Sequence, residues 1–200
     1  IQSLALLAIA AGALLAAGRA SAQPPPDYGI DLVTVGAVGN APYDGEDPFY
    51  FAYGRGRVDY EYRIGRTEIT TAQWMEFVNT FAVQGLRESF VFGPASWGGQ
   101  GGGPGRAYSL RTDVPNAAML PVVGMSWREA ATFCNWLHNG KSSDPVSLRS
   151  GAYDTSTFGF NPDFTYNDQQ TRSPGALFWI PSYDEWLKAA HYDPNKNGPG

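Results

Sequence analysis

Three stretches of the chain repeat one pattern. An apolar run leads to a Ser or Thr with Gln or Glu three places on, and apolar residues at helical spacing follow. In the first, residues 60–69 run into Thr70-Thr71-Ala72-Gln73, after which Trp74, Met75, Val78, Phe81 and Ala82 share one stripe. This predicts a strand, a capping box in which Thr70 and Gln73 satisfy each other's backbone N–H groups, and an amphipathic helix. The second is Pro121-Val122-Val123-Gly124-Met125, then Ser126-Trp127-Arg128-Glu129, with Trp127, Ala130, Ala131, Cys134 and Leu137 on one face and Gly140 as a stop. The third is Leu177-Phe178-Trp179-Ile180-Pro181, then Ser182-Tyr183-Asp184-Glu185, which places Tyr183, Trp186, Leu187 and Ala190 together before Asp193-Pro194 ends the helix. Each helix is expected to turn its apolar side into one shared interior, giving an α+β domain with little regular structure.

The rest of the chain is patterned differently. Residues 28–60 alternate weakly around the acidic loop Asp44-Gly45-Glu46-Asp47 and predict one or two strands. Residues 93–116, with the glycine run 98–105, and residues 141–176 read as long irregular loops. At the front, Leu4 to Ala17 is unbroken Leu, Ala, Ile and Gly, followed by Arg19 and the small-x-small triplet Ala20-Ser21-Ala22. That reads as a secretory signal peptide over residues 1–22. As a helix the apolar run rises only about 21 Å, short of the ~30 Å core of a bilayer, so a cleaved signal is favoured over an anchor. Residues 23–59 then form a leader and first strands, and residues 60–200 the domain. The reading is of a secreted or periplasmic protein with no membrane contact after cleavage.

Composition narrows the function. The chain has 19 acidic and 14 basic residues, a net charge of −5, and no Lys/Arg cluster. Nucleic-acid binding needs a basic face and is excluded. Cys134 is the one cysteine, so the chain has no internal disulfide and no thiol-pair metal site. Gly124-Met125-Ser126-Trp127-Arg128 sits where a hydrolase elbow would, but that motif needs Gly where Arg128 stands, so Ser126 reads as a cap. The glycine run lacks the Lys-Ser/Thr of a phosphate loop and reads as a flexible surface loop. His138 and His191 each lie near a helix C-terminus, where the dipole favours a cation. Cys134 on its apolar stripe reads as an inert buried thiol. Asp193, Asn195 and Asn197 fit the opening of a calcium loop, with an Asx-rich turn as the rival; the closing Glu would fall after Gly200.

The same three segments carry a resemblance. Glu68-Ile69-Thr70-Thr71-Ala72-Gln73-Trp74 resembles the opening "E-V-T-N-A-Q-Y" of the formylglycine-generating (sulfatase-modifying) enzymes. Pro121 to Trp127 with Phe133-Cys134-Asn135-Trp136-Leu137 is similar to that family's "P-V-x-x-V-S-W…Y-C-x-W-L". Ile180-Pro181-Ser182-Tyr183-Asp184-Glu185-Trp186 resembles "L-P-T-E-A-E-W", with Trp179 where Arg is usual. The long stretch 139–176 resembles an insertion in exported bacterial members. The resemblance spans residues 60–192. It implies a fold related to C-type lectins and, for the full-length enzyme, an oxidoreductase that converts a sulfatase cysteine to formylglycine with copper and oxygen. Calcium is implied as well. The family's copper-binding cysteines and calcium ligands lie after the third motif, so this chain is expected to be an N-terminal portion with no catalytic residue and no cofactor of its own. Cys134 matches a structural cysteine. As an isolated piece it is expected to be marginally stable. The alternative is a non-catalytic extracellular module on the same fold that binds a glycan or peptide. The implied partner is accordingly a sulfatase polypeptide or an extracellular ligand.

Overall fold

A computed structural model describes residues 26–47, 49, 51–84, 98–103 and 105–193. The expected signal peptide over residues 1–22 lies outside them. In order the elements are β1 (Leu32–Val35), β2 (Tyr62–Gly65), α1 (Thr71–Ala82), β3 (Gly99–Gln100), β4 (Ser109–Leu110), α2 (Trp127–His138) and α3 (Tyr183–His191), with short 3-10 turns at Ala117–Met119, Pro145–Leu148 and Thr155–Thr157. This is mixed helix and sheet with few regular elements. No helix among the described residues is long and apolar enough to cross a membrane.

All three capping boxes form. The Gln73, Glu129 and Glu185 N–H groups donate to the Thr70, Ser126 and Ser182 hydroxyls at 3.3, 3.2 and 3.2 Å. The Thr70, Ser126 and Ser182 N–H groups donate back to the three side-chain carbonyl or carboxylate oxygens at 2.9, 2.5 and 2.7 Å. Each box satisfies two donors that a helix start leaves without intrahelical partners. At the other end of α2, Gly140 takes φ +73°, its N–H reaches Leu137 O, and the Lys141 N–H reaches Trp136 O. That pair of bonds is the Schellman stop expected of a glycine there.

The interior has two parts. The larger joins Trp74, Phe77, Val78 and Phe81 of α1 to Phe133, Trp136 and Leu137 of α2, with Ile30, Val122, Leu148 and Phe178 around them. The Phe77 ring lies 5.3 Å from both Phe133 and Trp136. The smaller gathers Ala131, Cys134, Ala152 and Tyr153 on the other side of α2. Residues 131–137 are therefore buried without a break. A helix enclosed all round must satisfy its polar side chains internally. Asn135 does so: its Nδ2 donates to Leu148 O and Tyr153 O at 2.9 Å each, and its Oδ1 accepts from the Tyr153 N–H at 2.7 Å. Among the described residues the indole N–H groups of Trp74 and Trp136 are buried without a partner, a polar cost offset by the apolar area of two large rings.

β1 pairs antiparallel with β2, Leu32 opposite Gly65 and Val35 opposite Tyr62, so one expected strand of the 28–60 region forms and joins the same body. β2 is shorter than the 60–69 expected. The glycine run is not an irregular loop among its described residues. Gly99–Gln100 pairs with Ser109–Leu110, and the Gly105 N–H caps Ala82 O at 2.7 Å. Gly98 packs so closely on Ala117 O and Thr71 that a Cβ there would collide with both.

Two expectations fail. The strands before the second and third helices do not form. Thr70 and Pro121 make only an isolated bridge, and residues 177–181 find no strand partner among the described residues, the Ile180 N–H bonding instead to the Tyr153 hydroxyl. A strand needs a neighbour to take its ladder bonds; residues 121–125 find only the Val122 N–H bond to Ile69 O, and the Leu177 and Ile180 N–H groups go to side-chain acceptors. The face expected of α3 is also reversed. Tyr183 and Trp186 are 40% and 50% exposed and Ala190 is exposed, whereas Glu185 and Lys188 are 2% exposed and Leu187 is buried with them.

Candidate functional site

The reversal of α3 builds the polar centre of the molecule. Glu185 receives the Tyr60 hydroxyl at 2.8 Å and the Trp179 Nε1–H at 3.0 Å, and Arg172 pairs with the same Oε1 at 3.1 Å. The Tyr62 hydroxyl donates to the Glu185 backbone carbonyl at 2.5 Å. Arg172 also lies over the Trp179 ring, its Cζ 3.7 Å from the centroid, a cation–π contact. Burial alone would raise the Glu185 pKa. Bonds from the Ser182 backbone, Tyr60, the Ser182 side chain and Trp179 outweigh it and hold the carboxyl below its ordinary value. Burial and the Glu185 charge push Tyr62 up to about 12. On the next turn, Lys188 donates to Ala37 O at 2.9 Å and burial lowers its pKa. Asp184 takes Arg55 in a fork at 2.8 and 3.0 Å. Thus α3 ties residues 37–62 to residues 172–179 through charge.

A second polar centre lies on α2. Arg128 grips Asp168 with two bonds of 2.7 Å and donates to Gly159 O at 2.9 Å. Its Cζ sits 5.4, 5.1 and 5.3 Å from the Phe158, Phe160 and Tyr166 ring centres. The Arg128 bond holds Asp168 below the usual carboxylate range. The segment above is a small turn closed by the Phe160–Tyr166 bridge. It leaves Phe160, Phe164 and Tyr166 exposed at 57%, 84% and 63%.

The sequence-based candidates are dispersed. Ser126 is a helix cap, as read. Cys134 is buried in the smaller core, and burial pushes its thiol up to about 12, far from a reactive thiolate. His138 accepts the Leu177 N–H at Nδ1, 3.1 Å. It stands in the last turn of α2, the helix-end position the sequence pattern gives it. His191 meets Trp186 edge-on at 5.7 Å. Of the calcium candidates, Asp193 is exposed just after α3, and Asn195 and Asn197 lie outside the described residues. Among the described residues no three His, Cys, Asp or Glu side chains are placed to hold a metal ion.

With this geometry in view, one comparison decides the family. Residues 32–197 match the model of the sulfatase-modifying factor enzyme 1-like domain. The chain belongs to that family. No curated protein and no solved structure gives a significant match. In the sulfatase-modifying-factor domain the match begins at β1, ahead of the segment where the motif resemblance starts. That agrees with the pairing of β1 to β2. Sequence reasoning missed Arg128–Asp168 and the inward role of Glu185. The first depends on a partner 40 positions away, and nothing local to Arg128 points to it. The second depends on Tyr60, Arg172 and Trp179, which all lie outside α3.

Proposed function

We propose that the protein carrying this domain is exported and converts a sulfatase cysteine to formylglycine, on a fold related to C-type lectins. The family match over residues 32–197 carries this reading, supported by three family motifs that meet in one body and by the signal-like apolar run at residues 4–17. This chain's own residues do not fit a two-thiolate copper centre, since Cys134 is its one cysteine and is buried. No chemical step is therefore assigned to them. Their part is to build the scaffold, with Glu185 and Arg128 as its polar joints. The test is incubation of the full-length protein with copper, oxygen and a sulfatase-derived cysteine peptide. Mass spectrometry is expected to show conversion of the cysteine to an aldehyde, and an unmodified peptide would overturn the reading.

A second reading, a non-catalytic extracellular binding module, is favoured by one observation. Phe160, Phe164, Tyr166 and Trp186 present large apolar rings to solvent, and the first and third of these rest on Arg128. Exposed aromatic groups on a firm base are common in recognition surfaces. A protein that binds its ligand with no copper and no change to the peptide would support this reading.

A further inference from the structure

Residues 144–157 fold back over α2 in two 3-10 turns and leave a hollow of about 300 Å³ beside the helix. Leu148 and Thr132 lie at it, and Arg149, Ser150, Asp154 and Ser156 line it. Its wall is built in advance. Asn135 fixes Leu148 and Tyr153 from inside α2. Asn139 donates to Ser147 O and Ser150 O at 2.8 Å each, and the Thr155 N–H and hydroxyl both bond to Arg149 O. Backbone held this way loses little freedom when a ligand arrives.

The lining chemistry is selective. The Arg149 guanidinium has no ion pair or hydrogen bond among the described residues, so it has donors to give. Asp154 accepts the Ser156 N–H at 2.9 Å. The Ser156 hydroxyl and N–H keep its carboxyl below the ordinary value, so it is an acceptor near neutral pH. A phosphate or sulfate would meet the Asp154 charge, and a simple cation would meet Arg149. An apolar guest would leave both without partners. A ring bearing adjacent hydroxyls suits all of it, donating to Asp154, accepting from Arg149, and laying C–H groups against Leu148 and the Thr132 methyl. The volume lies at the small end of ligand pockets, enough for one such ring. One helical turn away the Thr132 hydroxyl bonds to Arg128 O at 2.8 Å. Arg128 there supports the exposed rings of Phe160 and Tyr166, a flanking apolar surface.

We propose that this hollow binds a neutral sugar unit, free or at the end of an oligosaccharide, with Asp154 accepting from and Arg149 donating to neighbouring hydroxyls. It rests on the binding reading above and is independent of copper chemistry. The experiment is saturation-transfer NMR and calorimetry on the full chain, against neutral monosaccharides, their oligosaccharides, inorganic sulfate and free amino acids at millimolar concentration. At least one neutral sugar is expected to bind. Arg149→Ala and Asp154→Asn should each weaken it about tenfold or more. Asp154→Asn retains a side-chain oxygen for the Ser156 N–H, so its thermal melt should match the parent's and a folding defect is separated from lost binding. Tyr166→Ala weakening the oligosaccharide but not the monosaccharide identifies the chain end as the source, and equal binding of both identifies the free sugar. Failure of every neutral sugar, equal binding by the Arg149→Ala and Asp154→Asn proteins, or preference for sulfate or amino acids overturns the proposal. Peptide oxidation without sugar binding refutes the hollow alone, and sugar binding without oxidation refutes the oxidase alone.

Discussion

Helices α1 and α3 begin with the same device and bury opposite kinds of surface. Each starts at a hydroxyl cap answered three residues later, and each carries an apolar stripe at helical spacing. The α1 stripe goes inside, with Trp74, Phe77, Val78 and Phe81 at 1% exposure or less. In α3 the charged side goes inside instead, and Tyr183 and Trp186 stay at the surface. The difference lies in the neighbours. Helix α1 meets the aromatic side of α2, so burial of its rings is driven by apolar area. Helix α3 meets backbone carbonyls of residues 37 and 58 and the polar groups of Tyr60, Arg172 and Trp179. Against such partners a carboxylate and an ammonium are satisfied, and a Trp would leave them unpaired. Gly56, at φ +84°, lets the chain pass within 3.2 Å of Leu187 at the position a Cβ would take, which closes this polar joint.

The contrast is open to direct tests. Phe77→Ala removes a ring with no exposure and should cost roughly 3–5 kcal/mol in chemical denaturation. Trp186→Ala, an equally drastic change on the exposed face of α3, should stay within about 0.5 kcal/mol. If the two losses were equal, the outward placement of Trp186 would be wrong. Glu185→Ala should cost about 3 kcal/mol, because it strands Arg172, the Trp179 N–H and the Ser182 N–H around a buried gap. Glu185→Gln should recover part of that loss by keeping an acceptor for Tyr60 and Trp179.

The same residue gives a pH dependence. Glu185 and Asp168 both have folded values below their ordinary ones. Such groups contribute stability that is complete above the unfolded carboxylate value, near 4, and that is lost as pH falls through the lower folded value. Denaturation midpoints should therefore fall on acidification below about pH 4, and the slope should be shallower in Glu185→Gln. An unchanged slope would mean that Glu185 is not held as a buried anion. The smallest effect is at the caps. Thr70→Ala, Ser126→Ala and Ser182→Ala should each cost about 1 kcal/mol. Ser182→Ala is expected to be the largest of the three, since the Ser182 hydroxyl also helps hold the Glu185 anion.

Much of this could be read along the chain. The three helices start where Thr70, Ser126 and Ser182 stand, and α2 stops at Gly140, because caps and stops are satisfied by residues three to five places away. The inertness of Cys134 was legible too, since its place on an apolar stripe already implied burial. The flanking segments were not. Residues 121–125 and 177–181 have strand composition, but a strand exists only where another segment offers a ladder. The glycine-rich stretch formed a small hairpin for the converse reason, because Ser109 and Leu110 lie opposite Gly99 and Gln100.

What local sequence determined, then, is where each helix begins and ends, through bonds that close within one turn. Which face of α3 points inward, where Arg128 finds its carboxylate, and how Arg149 and Asp154 come to line one hollow were decided by tertiary structure alone. Those outcomes depend on partners such as Arg172 for Glu185, Asp168 for Arg128 and Ala37 for Lys188, 13, 40 and 151 positions away, and no periodicity along a helix encodes the polarity of the surface it will meet.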